Sequence, residues 1–521
     1  MRDYKSENLD INIDYLQYFK KLWDGYLPLV YLFKNESGNY LYDNGTNKII
    51  RCKDPEFKVI TNLIQGNLDE GFQKLLLEMG EEIFSAALKS VVNAIESEKI
   101  LQSDPRKIRF GSKHFEDNYE DYCLTSLGQL ILEVTQGCNL RCEYCVYNPQ
   151  VSDTRKHNNQ HMDLETAKAA IDYLVKHSKN SENVYISFYG GEPMLQYPLI
   201  QECVSYAKRL LKDKNLSFSM TTNGLLLNQE NVDYLYNESF NVMVSIDGPQ
   251  EIHDEYRKDI HGNGTFQRAL RGVEFLVNRF GEETIKRLNL SMVYTPPFGE
   301  KRLNRIMELW NEYPWLKDIG SSISYPHAGS IPLPKLHSPS DWDEDKEVSD
   351  FVFDRYINDY REKKKSKRFD LDFITNSLIK IFRRAIFPEP NYIIYLNGCC
   401  YPAERKIFVN VDGDFYLCER IHIAGPSIGN IYTGLDYKKL KDVYINEYGK
   451  ESIGDCSNCW ANRLCGACYM DSYAGQKFNL KKKKFRCESI LNSSQKLLNI
   501  YTILLDIDPE GLNWMAEVKV S

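Results

Sequence analysis

Three cysteines, Cys138, Cys142 and Cys145, fall within the eight residues of a C-x3-C-x2-C loop in ILEVTQGCNLRCEYCVY, residues 131–147. Three thiolates at that spacing can hold three irons of a cubic 4Fe–4S cluster, and the fourth iron then has no protein ligand in the loop. An iron with an open position in a shaped cavity lets a small molecule chelate, which is catalytic chemistry rather than electron transfer. The competing readings are a zinc knuckle or three unrelated buried thiols. Zinc loops, however, use closed four-ligand sets built from paired C-x2-C units.

A second cysteine group lies near the other end. The doublet Cys399-Cys400 precedes RKIFVNVDGDFYLCER, with Gly413 five residues before Cys418, and Cys456-x2-Cys459-x5-Cys465-x2-Cys468 and Cys487 follow. Eight cysteines suffice for two further 4Fe–4S clusters or for two zinc sites. KIFVNV and DFYLCE, joined at Asp412-Gly413, predict a hairpin from the turn chemistry. Side chains of adjacent residues diverge, so Cys399 and Cys400 rarely reach one cubane together, and either is open as the ligand.

The chain that must position these groups has 521 residues, 42% of them hydrophobic, and a net charge of −8. That length allows two to four domains. The acidic balance argues against a large nucleic-acid footprint, which needs a basic face. The first thirty residues have no signal-peptide apolar region, and no run approaches the 18 apolar residues of a membrane span. A soluble cytoplasmic protein is expected. With no secretory signal, and with most of its fourteen cysteines bunched at short spacings, metal binding is a better account than disulfides; Cys52 reads as an isolated thiol.

Residues 1–118 predict short strands at 30–33, 39–42 and 47–51, then helices over PEFKVITNLIQG, closing at Gly66, and over EEIFSAALKSVVNAIES. The second helix places Ile83, Ala86, Ala87, Val91, Val92 and Ile95 on one face. This is the make-up of a small winged-helix module. From 125 to 326, strands alternate with helices, the pattern of a parallel sheet. The strands are LILEV, VYISF, LSFSMT, NVMVSI, LNLSMVY and SSISY, and Asp163 is placed to cap the helix after the first. Polar motifs fall at the strand ends: Tyr189-Gly190-Gly191-Glu192, Thr222-Asn223-Gly224, and Ser245 and Asp247 with His253 and Arg257 beyond. Paired glycines allow close backbone approach to a ligand, and a carboxylate suits an amino group. His253 reads as a surface residue and Cys203 as core. A Pro- and Ser-rich connector and a helix ending in the basic run KKKSKR occupy 327–395. The cysteine-rich region spans 396–495, and 496–521 is a tail that begins as a helix.

These residues resemble the radical S-adenosylmethionine (SAM) enzymes. Their signature is C-x3-C-x-aromatic-C, with Tyr144 in the aromatic slot, followed by GGEP, TNG and S-x-DGP…HD…R. The C-terminal pattern resembles their SPASM extension, departing in the doublet and in an x2 spacing where x3 is usual. The resemblance implies an α/β fold: a partial (β/α)6 barrel with the ligand at the strand ends, an N-terminal module and a C-terminal SPASM domain. It implies that Glu192, Gly190 and Gly191 bind the SAM amino group and that Ser245 and Asp247 lie near the ribose. Arg257 would pair the SAM carboxylate, and Tyr144, Tyr189, Thr222 and Asn223 would line the pocket. Three 4Fe–4S clusters are implied, one binding SAM and two auxiliary. Cys399 or Cys400, Cys418 and Cys468 would hold the first auxiliary cluster, whose open iron suits a substrate thiolate. Cys456, Cys459, Cys465 and Cys487 would hold the second. One electron from the SAM-binding cluster cleaves the sulfonium, and the 5′-deoxyadenosyl radical takes a hydrogen atom from the substrate. Glu419 is a candidate base, its plainer reading an exposed strand carboxylate.

The N-terminal module resembles the leader-recognition element of peptide-modifying enzymes, which bind a peptide as an added strand. The function expected is therefore that of a peptide maturase of the sactipeptide and ranthipeptide type, joining a cysteine sulfur to carbon in a ribosomal precursor. Its partners would be that precursor with its leader and an electron donor such as flavodoxin or ferredoxin, with no nucleic acid and no membrane. The alternatives are an anaerobic sulfatase-maturing, formylglycine-forming enzyme, or a maturase that forms carbon–carbon links or epimerises residues. A non-catalytic iron–sulfur scaffold has no need of a SAM pocket.

Overall fold

The computed structural model describes residues 14–65, 68–112, 118–147, 157–297, 299–326, 341–364 and 368–518. Near the N-terminus, β1 (Val30–Asn35), β2 (Gly38–Asp43) and β3 (Lys48–Cys52) form an antiparallel meander. Helices α1 (Asp54–Leu63), α2 (Leu68–Met79) and α3 (Glu81–Glu98) follow. The order matches the sequence expectation, although Gly66 lies outside the described residues. In α1, Pro55 sits in the first turn between Asp54 and Glu56, where a missing N–H and negative charge both suit a helix N-terminus. The buried face of α3 differs from expectation. Phe84, Ala87, Leu88, Val91, Val92 and Ile95 point inward, and Ile83 is exposed. Phe84 and Leu88 lie on the same stripe as Val91 and Ile95, and a helix cannot bury Ile83 with them.

Both edge strands of this small sheet reach the C-terminal helix through a side chain, Arg51 Nη1 in β3 donating to Asp506 Oδ1 at 2.8 Å. Asn35 in β1 donates to Thr502 Oγ1 at 2.8 Å, on the C-terminal helix. Along β3, no backbone group bonds outward to another segment among the described residues.

Six parallel strands build the central sheet: β4 (Gln129–Thr135), β5 (Asn183–Gly190), β6 (Asn215–Thr222), β7 (Phe240–Ser245), β8 (Leu288–Val293) and β9 (Gly320–Ser324). All six expected strands are present. A hairpin, β10 (Lys406–Val409) and β11 (Phe415–Tyr416), then adds to the β4 edge, giving the order β9-β8-β7-β6-β5-β4-β10-β11. β10 lies parallel to β4, with Phe408 opposite Ile131. The expected turn forms at Asn410–Asp414, where Gly413 has φ +87°.

Side-chain alternation gives the sheet two unlike faces. Leu130, Leu132, Val134, Ile186, Phe188, Val242, Val244 and Leu290 are buried on one face, each contributing about 1.5–3 kcal/mol by leaving water. Helices such as α4 (Leu164–His177) cover it. Asp163 caps α4 by accepting from the Thr166 N–H at 2.6 Å, and Ala167, Ala170, Ile171 and Leu174 are buried, as expected. Cys203, in the next helix, is also a core residue. The opposite face is polar: Gln129 Nε2 donates to Ser187 Oγ at 2.9 Å, and Ser187 and Ser219 share a hydrogen bond of 2.7 Å.

Residues 327–340 of the connector, and 365–367 of its basic run, lie outside the described residues. Helix α8 (Asp341–Arg361) forms as expected and α9 (Arg368–Phe382) follows it. The last long helix, α10 (Leu480–Ile507), runs unbroken through residue 495, so Cys487 and the tail share one rod. It packs against α8, α9 and β1. Among the described residues, no helix is long and apolar enough to cross a membrane.

The N-terminal module seats directly on the loop that carries Cys456, Cys459 and Cys465. Trp460 stacks on Tyr31 with ring centroids 4.2 Å apart. Asn44, in the β2–β3 turn, donates to the Trp460 carbonyl and to Asn462 Oδ1, each at 2.8 Å, and Arg463 Nε donates back to the Asn44 carbonyl at 2.7 Å. Asn462 in turn donates to the Cys456 carbonyl at 3.1 Å. Trp460→Ala removes the stack and is expected to destabilise by about 2 kcal/mol, less than for a fully buried tryptophan. Hydrogen exchange should quicken together in β1 and in 456–465; quickening in the loop alone would contradict the docking.

Candidate active site and cysteine centres

The three-cysteine loop leaves the end of β4 and is fastened on both sides. The φ of Gly190 is +145°. A Cβ on Gly190 would lie 2.1 Å from the Thr135 carbonyl oxygen, and one on Gly191 would lie 2.2 Å from that of Gly137. The Gly191 and Glu192 N–H groups donate to those same carbonyls, each at 2.9 Å. Here the glycines admit the protein's own loop, where the sequence pattern had read as room for a ligand. On the other side, the Arg141 N–H donates to the Lys258 carbonyl at 2.8 Å and the Glu143 N–H to that of Tyr256 at 3.1 Å.

The motif residues gather into two sets around this loop. Glu192 is fully buried at the end of β5; its Oε1 accepts from the Met194 N–H at 3.0 Å and from Thr222 Oγ1 at 2.7 Å, and its Oε2 from the Asn223 N–H at 2.7 Å. Burial pushes its carboxyl above the ordinary range, and those donors pull it back in part. Asn223 Nδ2 then reaches Asn139 Oδ1 at 2.8 Å and lies 3.9 Å from Cys138 Sγ.

In the second set, Asp247 Oδ2 accepts from Arg257 Nε at 2.9 Å and from the Tyr144 hydroxyl, and Oδ1 accepts from the Val293 N–H at 3.0 Å. Arg257 Nη1 lies 3.9 Å from Cys142 Sγ, and its guanidinium sits 5.4 Å from the Tyr144 ring centre. Burial opposes the Arg257 charge, and Asp247, Tyr144 and Cys142 more than offset it. The resemblance had Arg257 pairing a SAM carboxylate and Asp247 near its ribose; in this structure the two side chains pair with each other. Ser245 is buried at the end of β7, two residues before Asp247. Tyr189 stands apart from both sets, opposite Glu133 in the β4–β5 register and edge-on to Phe408.

Two buried residues escape the sequence reading. His253 is 1% exposed, not a surface residue. Its Nδ1 accepts from the Asp247 N–H at 3.4 Å and its Nε2 faces Thr265 Oγ1 at 3.1 Å; Thr265 donates to the Arg257 carbonyl at 2.8 Å. Its HD pairing in the motif was the available signal. Glu133 is fully buried in β4, accepting from the Tyr147 hydroxyl at 2.6 Å and from the Val411 N–H of the hairpin at 3.3 Å, with His422 Nδ1 4.0 Å away. A lone carboxylate in the aliphatic strand ILEV was its signal.

The donor set fits the cluster that the spacing implies. Burial pushes the Cys138 and Cys142 thiols up to about 12, and each is also raised by the Cys145 thiol nearby. Among the described residues, no three His, Cys, Asp or Glu side chains converge on a point for one metal ion. A cubane asks for something else, soft thiolates spread one to a corner.

The C-terminal cysteines form a second group. Burial raises the Cys459 thiol to about 11 and Cys465 to about 12; Cys456 and Cys487 add to the first, Cys456 and Cys459 to the second. Cys487 is likewise raised by burial and then by Cys456. These four are the set implied for one auxiliary cluster. Of the doublet, Cys399 is buried beside Cys468 and Cys465, whereas Cys400 is exposed. Cys418, at the end of the hairpin, has Glu419 and Lys406 beside it. Glu419 lies 3.8 Å from the Lys406 ammonium, so an ion pair accounts for it.

Gly191→Ala must drive the loop aside by about an ångström, and about a 10²-fold slower release of 5′-deoxyadenosine is expected; an unchanged rate would contradict the clamp. His253 yields a pH dependence. Burial holds its imidazole down at about 3, so the unfolded chain binds the proton more tightly. Its stabilising contribution is complete above about pH 6.5 and is lost as pH falls toward 3, about 2 kcal/mol between pH 7 and 5. Urea midpoints at the two pH values should show this loss, and His253→Gln should abolish it. Equal losses in both proteins would contradict the assignment.

Residues 132–309 match the family model of the radical SAM superfamily. An uncharacterized protein of Methanocaldococcus jannaschii is 37% identical over 333 residues, covering 61% of this chain and 95% of that one. A cysteine-type anaerobic sulfatase-maturating enzyme of Clostridium perfringens (strain 13 / Type A) is 34% identical over 361 residues, covering 66% and 88%. Among solved structures, native anSMEcpe with bound AdoMet and Cp18Cys peptide has a TM-score of 0.52 at 20% identity, covering 75% of this chain and 100% of that one; this similarity concerns the fold. With the three-cysteine loop held at a strand end and relatives matched along nearly their whole length, the chain belongs to the radical SAM superfamily, and it is an enzyme.

Proposed function

We propose that the protein is a radical SAM peptide maturase that acts on a ribosomally made precursor and joins a cysteine sulfur to carbon. The observation that carries this reading is the N-terminal module, with its open β3 edge, seated on the cysteine loop of the C-terminal domain. A leader segment adding along Lys48–Cys52 would satisfy the backbone groups of that edge and tether the rest of the peptide. The polar face of the central sheet, with Ser187 and Ser219, supplies hydrogen-bonding surface for a peptide. A relative in the fold comparison holds a peptide together with AdoMet, which supports the same class of substrate.

Cys138, Cys142 and Cys145 would hold the SAM-binding cluster, which when bound supplies the electron that cleaves SAM to a 5′-deoxyadenosyl radical. Around it, Glu192, with Gly190 and Gly191 setting its turn, would face the SAM amino group, and Thr222, Asn223, Ser245 and Tyr189 would complete the pocket. The Asp247–Arg257–Tyr144 set fixes the Cys142 side of the loop and lends it positive charge. Cys456, Cys459, Cys465 and Cys487 would hold one auxiliary cluster. Cys399, Cys418 and Cys468 would hold the other, with Cys399 favoured over Cys400 by burial. A flavodoxin or ferredoxin would serve as electron donor.

A specific observation favours a second reading, a sulfatase-maturing enzyme: the matched Clostridium perfringens relative is of the cysteine type. That alignment covers 66% of this chain, and the first reading is the one that gives the N-terminal module a task.

Anaerobic incubation with a leader-bearing, cysteine-containing precursor, SAM and reductant separates the two. Thioether formation removes two hydrogens and keeps the sulfur, whereas formylglycine formation exchanges the sulfur for oxygen. The expected result is the first mass change, with slower hydrogen exchange across Lys48–Cys52 when the leader is present. Sulfur loss, or processing with no protection of β3, would overturn the proposal.

A further inference from the structure

Lys483 stands in the basic run LKKKKF at the start of α10. In the structure it is 3% exposed. Its Nζ lies 3.0 Å from Asn397 Oδ1 and 3.3 Å from Cys456 Sγ, and 4.5 Å from the centre of the Tyr448 ring. The same Asn397 oxygen accepts from the Tyr448 hydroxyl at 2.8 Å. Among the described residues, no carboxylate forms an ion pair with Lys483. A buried ammonium without an opposite charge costs several kcal/mol, so the compensation has to come from its remaining neighbours. These are thiols: Cys399, Cys456, Cys459, Cys465 and Cys487 surround it.

We infer that Lys483 is the fixed countercharge of the auxiliary cluster held by Cys456, Cys459, Cys465 and Cys487, holding its reduction potential up. The inference rests on the assignment of those four cysteines as cluster ligands. Four thiolates around a cubane carry net negative charge, and taking up an electron increases it. A positive charge fixed at one ligand, donating an N–H to that ligand's sulfur, favours the reduced form; charge and hydrogen bonds to sulfur are what set such potentials. Its neighbours Lys482 and Lys484 serve elsewhere. Lys482 donates to the Tyr473 carbonyl at 2.9 Å, and Lys484 pairs with Asp455 at 3.0 Å. Lys482 also lies near Cys468 and Lys484 near Cys487, but it is Lys483 whose ammonium donates to a cysteine sulfur, Cys456 Sγ, at 3.3 Å.

The test compares full-length wild type, Lys483→Met and Lys483→Arg after anaerobic reconstitution, reading iron per chain and EPR-monitored midpoint potentials. Lys483→Met should lower one auxiliary midpoint by a tenfold change in the reduction equilibrium, ~59 mV for one electron, with Lys483→Arg restoring it. Loss of one cluster's iron in the Met variant but not in the Arg variant would also support the countercharge. An unchanged potential in Lys483→Met, or loss of the cluster in both variants, would overturn it, the latter in favour of a packing role. A wild-type protein holding only the iron of one cluster would instead overturn the three-cluster assignment on which the inference rests.

Discussion

The carbonyl oxygens of Thr135 and Gly137 occupy the space that Cβ atoms would fill on Gly190 and Gly191. This backbone-on-backbone contact fixes where the three-cysteine loop leaves β4, and most of the site follows from it. Glu192 is turned inward immediately after the glycines, to hold Thr222 and Asn223. Asn223 then touches the Cys138 end of the loop. The opposite end is held by a buried Asp247–Arg257 pair braced by Tyr144, with a neutral His253 behind it. Three thiolates lacking a fourth partner need such a rigid frame, because their own coordination does not close the site.

A second dependence runs between the two ends of the chain. The N-terminal module contacts the cysteine loop through Tyr31, Asn44, Trp460 and Arg463, and the hairpin that precedes the loop extends the central sheet beside β4. Glu133 lies at that junction, bonded both to Tyr147, just after Cys145, and to the hairpin backbone at Val411. The regions that carry the proposed SAM site, auxiliary clusters and peptide-binding edge therefore share buried contacts.

Much of this was legible in the sequence because its signals are local. Apolar runs alternating with helices marked the six core strands, Asp163 its cap, Asp412-Gly413 its hairpin, and the cysteine spacings their groups. The features that were not legible are long-range. Nothing local pairs β10 with β4, separated by more than 270 residues. That Cys399 is buried and its neighbour Cys400 exposed follows from the fold and not from the doublet itself. Lys483 looks like its three neighbours until helix phase and the Asn397 segment place it inward. What approaches the glycines of GGE is the protein's own loop. Tertiary packing gives Arg257 Asp247 as partner.

The central claim is that the Cys138–Cys142–Cys145 loop carries SAM-cleaving chemistry framed by this fold. The most direct measurement is anaerobic turnover of the reconstituted full-length protein with SAM and a one-electron reductant, beside Cys142→Ala. The account predicts release of 5′-deoxyadenosine and methionine from the wild type and none from the variant. A reconstituted wild type that releases no 5′-deoxyadenosine, or a variant that releases it at the wild-type rate, would contradict it.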